Sequence, residues 1–562
     1  MARNARRSRH KQRLTWSHAR KLSQVIALLA FLASFLGLYS ARLPGSLANL
    51  FLRLDPLAVL AQSAASRTWL AGSAIALLTL GLTLVFGRAW CGWVCPLGTL
   101  LDLLPLHRIA HPPFSDKERQ TFGPPSLPGK GEKMSKFGRL QGVMAPCKRS
   151  IFDYSPPPDS WRKAKILLLI AIVGMALAGN LTLLVLDPLT LSLRSLSSAI
   201  WPALDRLVTA LETTLYPLPG LGQAVAAFDT WARPALLPSQ PLDSRAGWLF
   251  AAALLAVVAL NAWAPRFWCR YLCPLGGLLG LLSRIALVRR VVNEECSGCA
   301  RCERSCPTGT IDPQRGYASD PAECTLCMDC LEECPRSSIR FPGRVSLAEA
   351  QPYDPGRRQA LATFALAIAG TSLVAAGDSS RERHPFLLQP PGGRQNDLVQ
   401  RCMRCGACVR ACPTAALQPA LAEARLEGFW TPVLVPRLGY CDYSCNACGQ
   451  VCPVEAIPPL ALEDKRQQVI GLAAIDRDRC IAWAEQGECI ICEEMCPVPQ
   501  KAVYLEETSM TERNGPARSL LRPHVDPGLC IGCGICEYRC PVVGPAAIRV
   551  YSLGDETPPA GI

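Results

Sequence analysis

The sequence predicts two kinds of domain in one chain. An α-helical membrane domain of four helices, with a fifth apolar helix beyond it, is joined to small α+β domains organised by cysteines. Three observations carry this: four apolar stretches at 22–41, 69–87, 166–186 and 247–264, 29 cysteines gathered mostly into quartets, and a net charge of +14 confined to two segments. A helix crossing ~30 Å of hydrocarbon needs roughly 20 residues, about the length of each stretch. At 562 residues the chain exceeds a single compact core, and it is far too long for a disulfide-stapled secreted scaffold.

Residues 1–21 hold eight Lys or Arg and no acid, and residues 107–165 hold twelve against five acids, so the rest of the chain sums to about −1. Each basic segment leads into an apolar run. That is a topology signal, placing the 1–21 tail, the 107–165 loop and the segment after 264 in the cytoplasm. It is not the basic, aromatic-laced face of a nucleic-acid binder. The first helix reads as an anchor, since it lacks the small-residue cleavage pattern of a signal peptide.

Residues 22–287 form a duplicated membrane domain. Each half carries Asp-Pro-Leu (Asp55-Pro56-Leu57, Asp187-Pro188-Leu189) and ends in a box, RAWCGWVCPLG or RFWCRYLCPLG. Duplication predicts that the boxes meet at the inner face. Cys91, Cys95, Cys269 and Cys273 are therefore candidate redox or metal-binding residues, the plain alternative being buried small hydrophobes. Asp55 and Asp187 are candidate proton acceptors near the outer face, or simply helix caps. Gly220 and Gly222 in PGLGQAVAAF imitate a dinucleotide fingerprint without its third glycine, so no NAD motif is read there. Cys147 stands alone in the basic loop.

Residues 288–345 read as a two-cluster domain. Cys296, Cys299, Cys302, Cys306 and Cys324, Cys327, Cys330, Cys334 both fit C-x2-C-x2-C-x3-C-P, in which three thiolates hold one [4Fe–4S] cluster and the fourth ligates its neighbour. Residues 355–378 begin with Arg357-Arg358 before a mildly apolar run, the pattern of a twin-arginine export signal; an apolar linker or core helix is the alternative. Residues 384–552 add four quartets. Cys402, Cys405, Cys408, Cys412 and Cys530, Cys533, Cys536, Cys540 have regular spacing. Cys441, Cys445, Cys448, Cys452 has one extra residue in the first gap, and Cys480, Cys489, Cys492, Cys496 has eight residues there. Six [4Fe–4S] clusters are expected. Zinc sites use two separated Cys pairs rather than runs closed by Pro, and cysteines three apart make poor disulfides.

The boxes followed by two clusters resemble the membrane polyferredoxins of the periplasmic nitrate reductase quinol-dehydrogenase type and the nitrous oxide reductase regulator type. The remainder is similar to the twin-arginine-exported four-cluster ferredoxin subunit of the same nitrate reductase system, so the chain looks like a fusion of the two. That resemblance implies anaerobic respiration: a multi-pass protein of the bacterial inner membrane that takes electrons from quinol and passes them to a periplasmic redox partner, such as a molybdenum reductase or a cytochrome. A periplasmic C-terminal domain is implied, with a cytoplasmic one as the alternative. It also implies that Cys402, Cys405 and Cys408 share a cluster with Cys540, and Cys441, Cys445 and Cys448 with Cys496. Unlike the regulator proteins, the 21-residue tail has no room for a flavin domain, and no C-x2-C-H haem box occurs. No Ser, His or carboxylate catalytic set is present, so a wire is expected, with quinol dehydrogenation its one candidate enzymatic step. The alternative is a copper-reducing or metalloenzyme maturation factor, since thiolates suit Cu(I).

Overall fold

The computed structural model describes residues 16–69, 71–106, 157–218, 220–231, 233, 237, 244–343, 351, 353–379, 384–510 and 518–553. Residues 1–15 of the basic tail and residues 107–156 of the basic loop, with Cys147, lie outside them.

The helical part comprises α1 (Trp16–Gly37), α2 (Pro56–Ser66), α3 (Ile75–Phe86), α4 (Pro96–Leu103), α5 (Lys163–Leu177), α6 (Pro188–Ser195), α7 (Trp201–Leu215), α8 (Gly247–Trp263), α9 (Pro274–Ser283) and α10 (Arg357–Ser379). α1 begins six residues earlier than the apolar stretch suggests, because Arg20 turns inward and meets Asp329 at 3.1 Å. Only α1 and residues Arg357–Gly377 are helices long and apolar enough to cross a membrane among the described residues. The other three stretches were expected as full spans. They form α3, α5 and α8, of 12, 15 and 17 residues. Between them the duplicated motifs make helices of their own. α2, α4, α6 and α9 each start with Pro at the first turn, where its missing N–H costs nothing. Their preceding residues are Asp55, Cys95, Asp187 and Cys273. The repeat seen in sequence is thus a repeat of short capped helices.

The cysteine-rich segments lie at the two ends of this bundle, a relation that α1 measures. Its start touches the segment 288–343 through Arg20, and its end places Phe35 4.8 Å from the Arg410 guanidinium of the later segment. Fifteen residues separate these contacts, about 22 Å at 1.5 Å per residue. α5 and α8 repeat the arrangement. Lys165 near the start of α5 pairs with Glu323, whereas the Phe250 ring near the start of α8 packs against Trp430 with centroids 5.1 Å apart. α10 packs along α5, with Phe364 and Ala367 against Gly174, and carries the chain onward from the first cysteine-rich segment to the second. Leucines 22, 29, 77, 78, 82, 255, 361, 366 and 373 lie exposed on α1, α3, α8 and α10. Such an apolar exterior is unusual for a protein surrounded by water.

The cysteine-rich parts are built on small two-stranded antiparallel sheets, three of them hairpins. β1 (Val291–Val292) pairs with β4 (Ile339–Arg340), and β2 (Ile311–Asp312) with β3 (Ala318–Ser319). Further on, β5 (Leu417–Pro419) pairs with β6 (Pro432–Leu434), β7 (Leu472–Ile475) with β10 (Ile548–Tyr551), and β8 (Val503–Met510) with β9 (Arg518–Val525). These strands are too short to hold a core unaided. The cysteine cavities lie between them.

Candidate metal centres

Five cavities are each lined by four cysteines. They are Cys296, Cys299, Cys302 with Cys334; Cys306 with Cys324, Cys327, Cys330; Cys402, Cys405, Cys408 with Cys452; Cys480, Cys489, Cys492 with Cys540; and Cys496 with Cys530, Cys533, Cys536. A sixth set is Cys412 with Cys441, Cys445 and Cys448, whose thiols act electrostatically on one another. In every set, three cysteines of one quartet meet the fourth of another, as the run with Pro after the last cysteine requires. The pairing implied by resemblance in the C-terminal part is overturned. Cys402, Cys405 and Cys408 take Cys452 rather than Cys540, and Cys496 joins Cys530, Cys533 and Cys536. Quartets adjacent in the chain exchange their fourth cysteines.

The local backbone explains the regular spacing. In the four quartets with two-residue first gaps, the residues on both sides of the second cysteine are left-handed: Gly298 and Ala300, Leu326 and Met328, Arg404 and Gly406, Gly532 and Gly534. Alternating left-handed residues turn successive N–H groups toward one concavity, a cradle for an anion. The quartets with lengthened first gaps lack the pair, Ser444 and Asn446 or Glu488 and Ile490 standing there without positive φ. In all six, the third cysteine starts or lies within a single helical turn that leads to the fourth. Gly532 is the most constrained. Its φ is +67°, and a Cβ would stand 2.2 Å from the Gly471 carbonyl oxygen. Gly532→Ala is therefore expected to lower stability by about 2 kcal/mol or more, seen as an earlier thermal transition with loss of iron.

The donor set fits [4Fe–4S]. All 28 described cysteines are free of disulfides. Among the described residues no three His, Cys, Asp or Glu close on a point where one ion could sit, so the quartets surround a volume instead. Burial pushes the thiols of Cys324, Cys405, Cys441 and Cys492 up to about 12, so the thiolate form at neutral pH depends on a bound cationic core.

The two boxes meet, reciprocally. Arg88, three residues before Cys91, donates to the Cys269 carbonyl at 3.3 Å; Arg266, three residues before Cys269, donates to the Cys91 carbonyl at 3.1 Å. Cys91, Cys95, Cys269 and Cys273 are all buried there. The second quartet abuts them, with Trp93 Nε1 donating to the Leu326 carbonyl at 3.1 Å. Arg88 continues to Glu323 at 2.9 Å, where Arg162 at 3.3 Å and Lys165 also converge. Sequence reasoning missed this hub. Its one sequence signal was Arg repeated at the same place in both boxes.

Asp55 and Asp187, expected near an outer surface, are instead fully buried. Both cap helices: Asp55 Oδ1 accepts from Leu57 N (2.9 Å) and Ala58 N (3.2 Å), and Asp187 Oδ2 from Leu189 N (2.9 Å) and Thr190 N (3.3 Å). The two carboxyls are close enough to act on each other, and Asp55 Oδ2 and Asp187 Oδ1 have no hydrogen-bond partner among the described residues. Two buried carboxyls side by side repel when both are charged, which favours one proton shared between them. The duplication has produced a carboxyl pair.

Comparison with known proteins points the same way. A 4Fe-4S binding domain family matches residues 68–109 and 245–293, the two boxes, and another matches 523–543. 4Fe-4S dicluster domain families match 317–413 and 401–456. The methylamine utilization ferredoxin-type protein MauM of Methylorubrum extorquens is 34% identical over 209 residues, covering 36% of this chain and 91% of the relative. MauM of Paracoccus denitrificans is 33% identical over 202 residues, 34% of this chain and 86% of the relative. The ferredoxin-type protein NapG of Escherichia coli is 34% identical over 169 residues, 30% of this chain and 71% of the relative. No solved structure matches the chain.

Proposed function

The chain belongs to the ferredoxin-type iron–sulfur electron-transfer proteins that include MauM and NapG, and from that premise we propose that it is a transmembrane electron conduit, oxidising a quinol within the helical bundle and passing electrons to a redox partner beyond the four-cluster domain. In this reading residues 22–287 are a multi-pass domain of the bacterial inner membrane, 288–345 binds two clusters on the cytoplasmic side, and α10 exports 384–552, with four clusters, to the periplasm. A molybdenum reductase or a cytochrome is the partner class.

One observation carries the reading. The two cysteine-rich segments contact α1 near its opposite ends, at points about 22 Å apart at 1.5 Å per residue, with box cysteines and a carboxyl pair within the bundle. The exposed leucines of α1, α3, α8 and α10 support a lipid surround. The clusters, when bound, supply one-electron transfer. What remains for the protein is proton handling, because quinol oxidation releases protons as well as electrons. Asp55 and Asp187 hold one proton between them and accept a second, while the helix N-termini of α2 and α6 keep the pair oriented.

Purified holoprotein given a menaquinol or ubiquinol analogue and an artificial acceptor should reduce that acceptor. Asp55→Asn and Asp187→Asn should each slow this about 100-fold, the ordinary size of a lost acid–base group. Iron content should hold, since Asn keeps the cap. Wild-type protein that is fully loaded yet inert with every quinol would sink the reading. Cys91→Ser with Cys269→Ser tests the copper alternative, under which copper-enzyme maturation fails while quinol-linked flow persists.

A further inference from the structure

Resting on the cluster reading above, we propose that Arg194 of α6 reaches out of the helical bundle into the cavity of Cys402, Cys405, Cys408 and Cys452, donates N–H groups to the cluster held there, raises its reduction potential, and makes that site the port where the four-cluster domain exchanges electrons with the bundle.

The side chain is 1% exposed and lines that cavity, although it comes from an element more than 200 residues earlier in the chain. Its Nη2 donates to the Trp430 carbonyl at 2.9 Å. Nε and Nη1 have no partner among the described residues. The Phe250 ring lies 5.1 Å from the guanidinium, which packs the fork in place. Among the described residues, the acidic groups that act on this charge are the thiols of Cys402, Cys405 and Cys408. A guanidinium buried without an anion costs several kcal/mol, so a site built this way calls for a negatively charged occupant. Four thiolates around an iron–sulfur core supply one, and the remaining N–H groups are the donors that tune such a centre.

Nearby arginines show the difference. Arg404 lines the same cavity, but its three nitrogens are all spent on the carbonyls of Phe429, Cys402 and Glu427. It holds a loop. Arg194 keeps Nε and Nη1 without a partner among the described residues, beside the backbone of Gly406. Arg290 has the same design in the other cysteine-rich domain, lining two cavities with Nε and Nη2 unpartnered, but it belongs to that domain itself. Among the described residues, Arg194 is the charged group of the bundle that lines one of the five cysteine cavities.

The step is one-electron transfer. One electron, drawn from quinol oxidised in the bundle, enters the site; no bond forms or breaks there and no proton moves. Arg194 favours the reduced state because that state carries one more negative charge, and the apolar surroundings weaken the effect little.

The test is a redox titration of the holoprotein followed by low-temperature paramagnetic resonance, with dithionite as reductant and iron counted in parallel. In Arg194→Gln, one cluster should become at least tenfold harder to reduce, about 59 mV for one electron, while the others keep their potentials. Arg194→Lys keeps the charge and loses the fork, and should shift the same cluster by less. Cys452→Ser identifies its signal. Unchanged potentials at full iron content in both variants would overturn the proposal. Should Arg194→Gln lose that cluster, Arg194→Lys decides: an unshifted potential there overturns it as well. Wild-type protein without iron–sulfur signals would instead overturn the cluster reading, and loaded protein inert toward quinol would overturn the quinol step alone.

Discussion

Cys452→Ser will remove the cluster centred on Cys402, Cys405 and Cys408, and will leave the one centred on Cys441, Cys445 and Cys448 in place. Cys452 belongs to the latter run in sequence but lines the former cavity. The reciprocal change, Cys412→Ser, strikes the other site, because Cys412 faces Cys441, Cys445 and Cys448. Each variant should lose about four irons and one resonance signal, since one thiolate in four is absent from one cubane. Cys540→Ser separates the alternatives sharply. It should spare the cluster of Cys402 and destroy that of Cys480, Cys489 and Cys492, with which Cys540 shares a cavity. Loss of the Cys402 cluster in Cys540→Ser would restore the pairing that resemblance implies.

Glu323→Gln is expected to detach the two-cluster domain from the bundle. Glu323 is fully buried among Arg88, Arg162 and Lys165, joining the first box, the start of α5 and the second quartet. Removing one partner of a buried ionic group costs about 3–5 kcal/mol, because the charges left behind are neither paired nor hydrated. Here three cations would remain. The loss should appear as a fall in thermal midpoint and as protease sensitivity of segment 288–343, with the four-cluster domain unaffected. A pH dependence follows from the same geometry. Burial by itself would raise the Glu323 carboxyl, but Lys165, Arg88 and Arg162 outweigh it and hold the group at about 2. A carboxyl held below its unfolded value of 4.5 contributes stability that is fully present above pH 4.5. That contribution is lost as pH falls through about 2. Its size is about 3 kcal/mol at about 1.4 kcal/mol per unit. Acid titration of wild type should show this loss, and Glu323→Gln should not.

The cysteines that share cavities were legible as candidate ligands because cluster chemistry would act through local spacing. Three thiolates reach one cubane only from a tight loop, and Cys296, Cys299 and Cys302 declare that loop without reference to anything distant. The left-handed residues were half legible, since Gly298 and Gly532 announce them whereas Leu326 and Arg404 do not. The helical stretches misled in detail. Apolar composition at 69–87 and 166–186 is blind to where a helix stops, and the structure breaks them into 12- and 15-residue helices flanked by tighter turns. The twofold repeat and the meeting of its boxes were visible, but not the contacts that join the halves: Arg88 and Arg266 each hold the other box, and Asp55 lies beside Asp187.

What the sequence laid out by itself was therefore the inventory of its parts: cysteines in quartets, boxes in pairs, and apolar runs between basic segments. These depend on neighbours along the chain, where spacing and composition act directly. Tertiary structure alone decided which quartet lends its fourth thiolate to which, that Glu323 gathers three cations, and that Arg194 enters the cavity of a domain far along the chain. Such contacts join residues hundreds of positions apart. Their energy comes from burial and pairing of charge, which no local pattern records until the helices have packed.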